Sequence, residues 1–226
     1  MKLAVVTRVD DRVKEQSDLT HPILEDFCEK WGADFITLDG PSECLVGDGK
    51  VHFRILRLYD LYDKDKYDRI LSIDSDVVIN KICPNPFDEV PPEMIGSVLE
   101  DCGSRQTPRR QLIKDIQNKF GDVGWSKGYI NTGFFLTSSI HKDIFTKING
   151  QFWEGFGFDD PHLGWNINKY KFPIYELDYR WNHMSMYSES WNGSKDPLQS
   201  YIIHFAGKSM EWRVQAIKET IREIYG

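Results

Sequence analysis

The chain of 226 residues has no long hydrophobic run: nowhere do the ~18 apolar residues needed to span a bilayer stand together. Its start, MKLAVVTRVDDR, returns to charge too soon to hold a secretion-signal core. Cysteine is scarce, and Cys28, Cys44, Cys83 and Cys102 form no CxxC pair and no metal-type spacing. Free thiols in a reducing compartment are therefore expected. A basic excess is also missing. The formal net charge is −7, spread along the chain, which argues against nucleic acid or an anionic membrane as the main partner. Internal repeats and low-complexity tracts are absent. These absences leave a soluble, cytoplasmic protein as the expectation, with no transmembrane segment. The formal sequon Asn192-Gly193-Ser194 is then expected to go unused.

What is present belongs to an ordinary globular chain, 40% hydrophobic and 28% charged. Its length suits one sizeable domain over 1–226 better than two small ones. Aromatic residues reach 13%, with seven Trp, which offers stacking surface as well as core. Trp153, Trp165 and Trp181 read first as core. The apolar, β-branched run at residues 3–6 reads as a buried strand, and a helix is expected over 22–30 and a strand over 34–38. Turn signals stand at Asp39-Gly40-Pro41-Ser42 and Gly47-Asp48-Gly49. Residues 51–62 have amphipathic helical spacing, with Arg54 and Arg57 about one turn apart on one side.

A strand over 69–73 stops at Asp74-Ser75-Asp76, and Val77-Val78-Ile79 reads as its continuation. Further strands are expected over 94–100, within 128–136 after a turn, and over 174–177 and 201–205, and helices over 111–119, over 141–148, after the segment 156–162 up to about 170, and over 211–224. Strands alternating with helices signal an α/β fold with a mostly parallel central sheet flanked by helices, mixed in its C-terminal half. In open sheets of this kind ligands gather at the carboxyl ends of strands. Residues 7–10, 74–76 and 100–101 all lie at such ends.

Asp74 and Asp76 are alternate residues, so in an extended strand they point the same way. Two adjacent carboxylates repel unless a cation sits between them, and hard oxygen ligands suit Mg²⁺ or Mn²⁺. Such a metal would let an acidic protein bind a diphosphate. A solvated strand end is the plain alternative for so short a motif. Later, His204-Phe205-Ala206-Gly207-Lys208 places a possible nitrogen ligand after a strand, a glycine that admits a phosphate closely, and a cation for it. A lone His204 is also compatible with a purely structural role.

The blocks LAVVTRVD, YDRILSIDSDVVI, YINTGFFL, FGFDDPHLGWNI, YRWNHM and IIHFAGK, with the Arg57 helix, resemble in this order the glycosyltransferases of the GT-A (Rossmann-like) fold. The nearest group is the retaining family-8-like and family-34-like one, which includes glycogenin and bacterial galactosyltransferases. The compactness is also similar to that of the small capsid-glycosylating transferases of large algal viruses. The likeness spans residues 3–212. It implies a nucleotide-binding half over 1–100 and an acceptor- and sugar-binding half over 101–226. It also implies a manganese or magnesium ion held by Asp74, Asp76 and His204, and a UDP-sugar donor.

By the same resemblance, Thr7, Arg8 and Val9 would cradle the uracil and Ser75 would lie near the ribose. Arg57 would reach the donor sugar, with Arg54 in reserve. Asp101 would bind sugar hydroxyls, Asn131 would approach the donor sugar or acceptor, and Gly207 with Lys208 would hold the diphosphate. Asp160 would match the acid of a DQD-like block, but Phe158 stands where that block's first acid usually lies, so Asp159 competes for the role. Each has a plainer alternative. Arg57 can pair with Asp60 or Asp63, Asn131 can shape the turn before Gly133, and Asp159-Asp160-Pro161 is a respectable helix start.

The resemblance implies transfer of a sugar from a nucleoside diphosphate to a hydroxyl of a glycan, glycoprotein or lipid-linked acceptor, with retention by front-face attack. The alternatives are a binding module without turnover, an aspartate-nucleophile phosphatase and a sugar nucleotidyltransferase. The phosphatase fits poorly because Val77-Val78 follow the second acid. The nucleotidyltransferase fits poorly because TRVDDRVKE lacks glycine. A chain ending directly after a helix is compatible with one domain of a longer polypeptide.

Overall fold

In chain order the elements are β1 (Leu3–Arg8), α1 (Lys14–Trp31), β2 (Ala33–Leu38), α2 (Gly49–His52), α3 (Leu58–Asp63), β3 (Arg69–Ile73), β4 (Val77–Ile79), α4 (Pro86–Glu89), β5 (Ile95–Leu99), α5 (Gln106–Phe120), β6 (Ile130–Ser138), α6 (Asp159–Tyr170), β7 (Ile174–Glu176), β8 (Ile202–His204) and α7 (Met210–Tyr225), joined by short 3₁₀ turns. The computed structural model describes residues 1–40, 49–192 and 195–226. The expected turns at Pro41-Ser42 and Gly47-Asp48, the cysteine Cys44 and the Gly193-Ser194 part of the sequon lie outside the described residues.

Six strands form one sheet in the order β2-β1-β3-β6-β5-β7. β1 runs parallel to β2 and β3, and β5 parallel to β7, while β6 is antiparallel to both β3 and β5. The expected α/β sheet, parallel first and mixed later, is therefore present. β6 comes from the second half of the chain and lies between two strands of the first, so both halves share one sheet.

The period-2 alternation of the strands divides the core. Val5, Leu71, Ile73, Phe134 and Leu136 pack against the α1 residues Leu24, Phe27, Cys28 and Trp31. On the other face Ala4, Val6, Ile70 and Phe135 meet Ile55, Leu58, Leu163 and Ile167. With both faces covered, the central strands are continuous apolar runs, as such a sheet requires.

Four expectations change. Val77–Ile79 does not continue β3. The chain turns at Ser75-Asp76, and β4 leaves the sheet to pair antiparallel with β8, Val77 opposite His204. The helix expected over 22–30 begins at Lys14 and contains Pro22, because burial of its apolar face outweighs the one backbone bond that proline removes. The helix expected over 51–62 is split by a 3₁₀ stretch, Phe53–Arg57. That over 141–148 is a 3₁₀ turn, Ser139–Ile144, started by a Ser138–His141 capping box. Among the described residues no helix is long and apolar enough to cross a membrane. Cys28, Cys83 and Cys102 are free thiols.

Because β6 occupies the middle of the sheet, truncating Phe134, which is fully buried, is expected to cost about 3–5 kcal/mol. The check is a denaturant titration in which the midpoint falls while the slope stays constant.

Candidate functional site

The antiparallel course of β6 puts its first residues at the same sheet edge as the last residues of β1, β3 and β5. Arg8, Asp74, Glu100 and the Asn131-Thr132-Gly133 segment thereby come together. The turn after β3 is pinned from below by α1. Gln16 Nε2 donates to Ser75 Oγ at 2.9 Å and Thr20 Oγ1 to the Ser75 carbonyl at 2.8 Å. Ser75 is thus buried against α1. From the side, Asp74 N donates to the Gly133 carbonyl at 3.1 Å, and Phe205 N to the Asp76 carbonyl at 2.9 Å. The two carboxylates converge through this turn rather than through strand alternation.

β8 brings His204 to them. Its Nε2 lies 3.2 Å from Asp76 Oδ1 and 3.6 Å from Asp74 Oδ2. One ligand atom from each of the three residues lies within 4.8 Å of the others. Two hard oxygens and an imidazole nitrogen form a donor set suited to Mn²⁺ or Mg²⁺. Arg213, on α7, donates from Nη1 to Asp76 Oδ2 at 3.0 Å and from Nε to the Lys208 carbonyl at 2.9 Å. Burial alone would raise the Asp76 pKa, but His204 and then Arg213 bring it down to about 2. Burial likewise opposes a charge on His204, yet Asp76 and Asp74 leave its pKa raised.

Arg8 links this cluster to a second one. Its guanidinium donates to Asp74 Oδ1 at 2.5 Å, to Asp159 Oδ2 and to the His52 carbonyl. Burial disfavours the charge on Arg8, but the two carboxylates more than compensate and raise its pKa. Asp159 also faces His52 Nδ1 at 3.3 Å and accepts from Thr132 Oγ1 at 2.8 Å. Against the effect of burial, Arg8, His52 and Thr132 hold Asp159 well below the usual carboxylate range. Its neighbour Asp160 behaves oppositely. It accepts from Thr132 N and Oγ1, both at 2.9 Å. Burial, then the charges of Asp159 and Glu100, push its pKa up to about 8. Adjacent acids on one helix start are thus driven in opposite directions, Asp159 toward the charged form and Asp160 toward the protonated one.

The remaining expected site residues are distributed less simply. Thr7 is buried in β1, and Val9 bonds through its N–H to the Leu38 carbonyl at 3.2 Å. Arg54 is buried and donates to the Val9 carbonyl, so it lies against the first-strand loop. Arg57 is exposed and donates to the Asp39 carbonyl at 2.5 Å. Arg8, expected at the base, is held by ion pairs with Asp74 and Asp159. Asp101 is occupied by the turn at Gly128, accepting from the N–H groups of Gly128 and Tyr129 and from Arg110 Nε. Asn131 is buried, with both ends of its amide bonded. Gly207 takes φ +75°, the left-handed region that favours glycine, and Lys208 is exposed beside it.

Sequence reasoning did not single out His52, Glu100 as a side chain, Thr132, Asn182 or Arg213. Glu100 was visible as a strand end and Asn182 as part of YRWNHM, but no spacing connects Arg213 or His52 to the Asp-x-Asp turn.

No protein-family model matches this sequence, and no curated protein is similar to it in sequence. Solved structures are similar in fold. A glycosyltransferase involved in glycosylation of the major capsid of PBCV-1 is 15% identical, with 97% of this chain and 100% of that one covered at a TM-score of 0.66. An active-site mutant of LgtC is also 15% identical, with 100% and 97% covered at 0.60. The bifunctional glycosyltransferase WbbM is 12% identical at 0.65, and this chain spans half of its length.

The opposite shifts of the two acids have a measurable consequence. A carboxyl whose pKa is raised on folding binds its proton more tightly in the native state. Its stabilising contribution is complete below the unfolded value of about 4 and is lost as pH rises through the folded value. Asp160→Asn is therefore expected to gain melting temperature over the parent as pH rises from about 5 to about 9, with no gain at the acid end. Parallel thermal melts across that range are the check. At 12–15% identity these likenesses show the fold, and this chain has the GT-A fold of these glycosyltransferase structures.

Proposed function

We propose that this protein is a metal-dependent glycosyltransferase that moves a sugar from a nucleoside-diphosphate donor, a UDP-sugar, to an acceptor hydroxyl of a glycan or glycoprotein. The observation that carries the reading is the convergence of Asp74, Asp76 and His204 at the carboxyl edge of a GT-A sheet. These three residues would hold Mn²⁺ or Mg²⁺. When bound, the ion supplies positive charge against the diphosphate leaving group.

The chain's own residues divide the other tasks. Asp76 is kept ionised by His204 and Arg213, so it is ready as a ligand. Gly207 leaves its backbone open to a phosphate, and Lys208, exposed beside it, would neutralise the departing charge. Thr7, Val9 and the Arg54 guanidinium beneath them would border the base, Ser75 the ribose, and Arg57 the outer rim of the donor pocket. Asp101 would act on sugar hydroxyls through the Gly128 turn that it holds.

Transfer with retention is favoured by the state of the acids. Asp159 is held toward its charged form but engaged by Arg8, His52 and Thr132, and Asp160 is pushed toward its protonated form. Neither is a free carboxylate nucleophile in the unliganded protein. The acceptor hydroxyl would then attack from the face of the departing diphosphate, with Asp160 positioning it.

Three measurements test this reading. Mn²⁺ with the favoured UDP-sugar is expected to raise the melting temperature, by about 2.7 kcal/mol of stability at ~100-fold excess over Kd. Asp76→Asn should lose that response and lower turnover roughly 100-fold or more, the scale of losing one charge-stabilising group. A variant with unchanged metal response and turnover would remove the central claim. NMR of the product anomers is expected to show retention, and inversion would make Asp159 or Asp160 a base instead.

A further inference from the structure

A buried file of polar side chains runs behind His204, on the side away from the two aspartates. His204 Nδ1 lies 2.8 Å from Asn182 Oδ1, Asn182 Nδ2 lies 2.7 Å from Asn131 Oδ1, and Asn131 Nδ2 contacts Glu100 Oε1. Glu100 Oε2 in turn is paired with Arg109. Asn182 is fully buried, and Glu100, Asn131 and His204 are 1%, 8% and 5% exposed, so water has little part in deciding which atom donates.

Both ends of the file set its direction. Asn131 Oδ1 accepts from the backbone N–H of Gly133 at 2.8 Å, and a backbone N–H can only donate. Its amide nitrogen is therefore the group facing Glu100, a carboxylate that accepts. The atom of Asn182 opposite Asn131 Oδ1 must then be its NH₂, which leaves its carbonyl toward the histidine. Only a proton on Nδ1 satisfies that carbonyl. Nε2, 3.2 Å from Asp76 Oδ1 and 3.6 Å from Asp74 Oδ2, is then the nitrogen left for an ion held with those carboxylates. Space fixes the position of the ring. A Cβ at Gly133 would come within 2.4 Å of His204 Cε1 and 2.9 Å of Nδ1, so only glycine leaves room for the imidazole there.

We infer that Asn182 is the positioning residue of the metal centre, fixing the Nδ1–H tautomer of His204 through a one-directional relay from Glu100 and Asn131 so that Nε2 is delivered as the metal ligand. The inference rests on the metal-dependent reading above and adds to it a residue that does not touch the ion. Metal-ligating histidines are held in this way by an acceptor on their other nitrogen, and loss of such a partner weakens metal affinity roughly 10–100-fold.

The test uses the full chain with Mn²⁺ alone. Isothermal titration calorimetry is run on the parent, Asn182→Leu and Asn182→Asp, and imidazole ¹⁵N spectra of the metal-free proteins report whether Nδ1 carries a hydrogen-bonded proton. In the parent, the His204 proton is expected on Nδ1. Asn182→Leu removes the acceptor, so Mn²⁺ affinity should fall roughly 10–100-fold and the tautomer preference should be lost. Asn182→Asp keeps an acceptor opposite Nδ1 and should keep the tautomer and recover affinity relative to leucine. It also serves where the leucine variant does not fold. Unchanged affinity in Asn182→Leu, an Nε2–H tautomer in the parent, or loss of the Nδ1 proton in Asn182→Asp would overturn the inference while leaving metal binding by the parent intact. Absence of Mn²⁺ binding by the parent itself would instead overturn the metal-dependent reading, and this inference with it.

Discussion

Carboxylates crowded at the edge of one sheet repel one another, and the way this protein relieves that repulsion organises everything around them. Asp74, Asp76, Glu100, Asp159 and Asp160 all reach the same edge. Arg8 is shared between Asp74 and Asp159, Arg213 and His204 serve Asp76, and Arg109 serves Glu100. Among the described residues Asp160 has no ion pair of its own, and its pKa is pushed up instead. Where like charges cannot all be paired, one of them neutralises. The two neighbouring acids of α6 therefore differ by environment, not by chemistry.

The scaffold makes this crowding possible through two departures from a plain parallel sheet. An antiparallel β6 in the middle places the start of a strand, and so Asn131, Thr132 and Gly133, among the ends of the others. The short β4–β8 pair leaves the sheet and carries His204 back to the turn from residues more than a hundred positions away. Gly133 joins the two departures. It receives Asp74 N on its carbonyl and gives the histidine ring the room that a side chain would take.

Much of this was legible in the chain itself. The apolar runs announced the buried strands because both faces of the sheet are covered, and Asp74, Asp76 and His204 were recognisable as potential ligands by residue type. Other assignments depended on matters that residue type does not contain. Arg8 reads as part of a base-binding loop, yet it lies among acids contributed by β3 and α6. Asp101 reads as a sugar ligand, yet the Gly128 turn uses both of its oxygens. Arg54 and Arg57 share one side of their 3₁₀ stretch, but their acceptors, the Val9 and Asp39 carbonyls, are adjoining loop groups far away in sequence.

By itself the sequence determined the α/β class, the strands that form the core and the presence of an Asp-x-Asp turn at the end of one of them, because hydrophobic periodicity and local turn chemistry act over a few residues. Tertiary structure alone decided that the turn leaves its strand, that Arg213 and His52 join the acids, which acid is pushed toward its protonated form, and which imidazole nitrogen faces the carboxylates. Each of those outcomes depends on burial and on charges or hydrogen bonds between residues far apart in the chain, and these exist only once the strands have been brought to one edge.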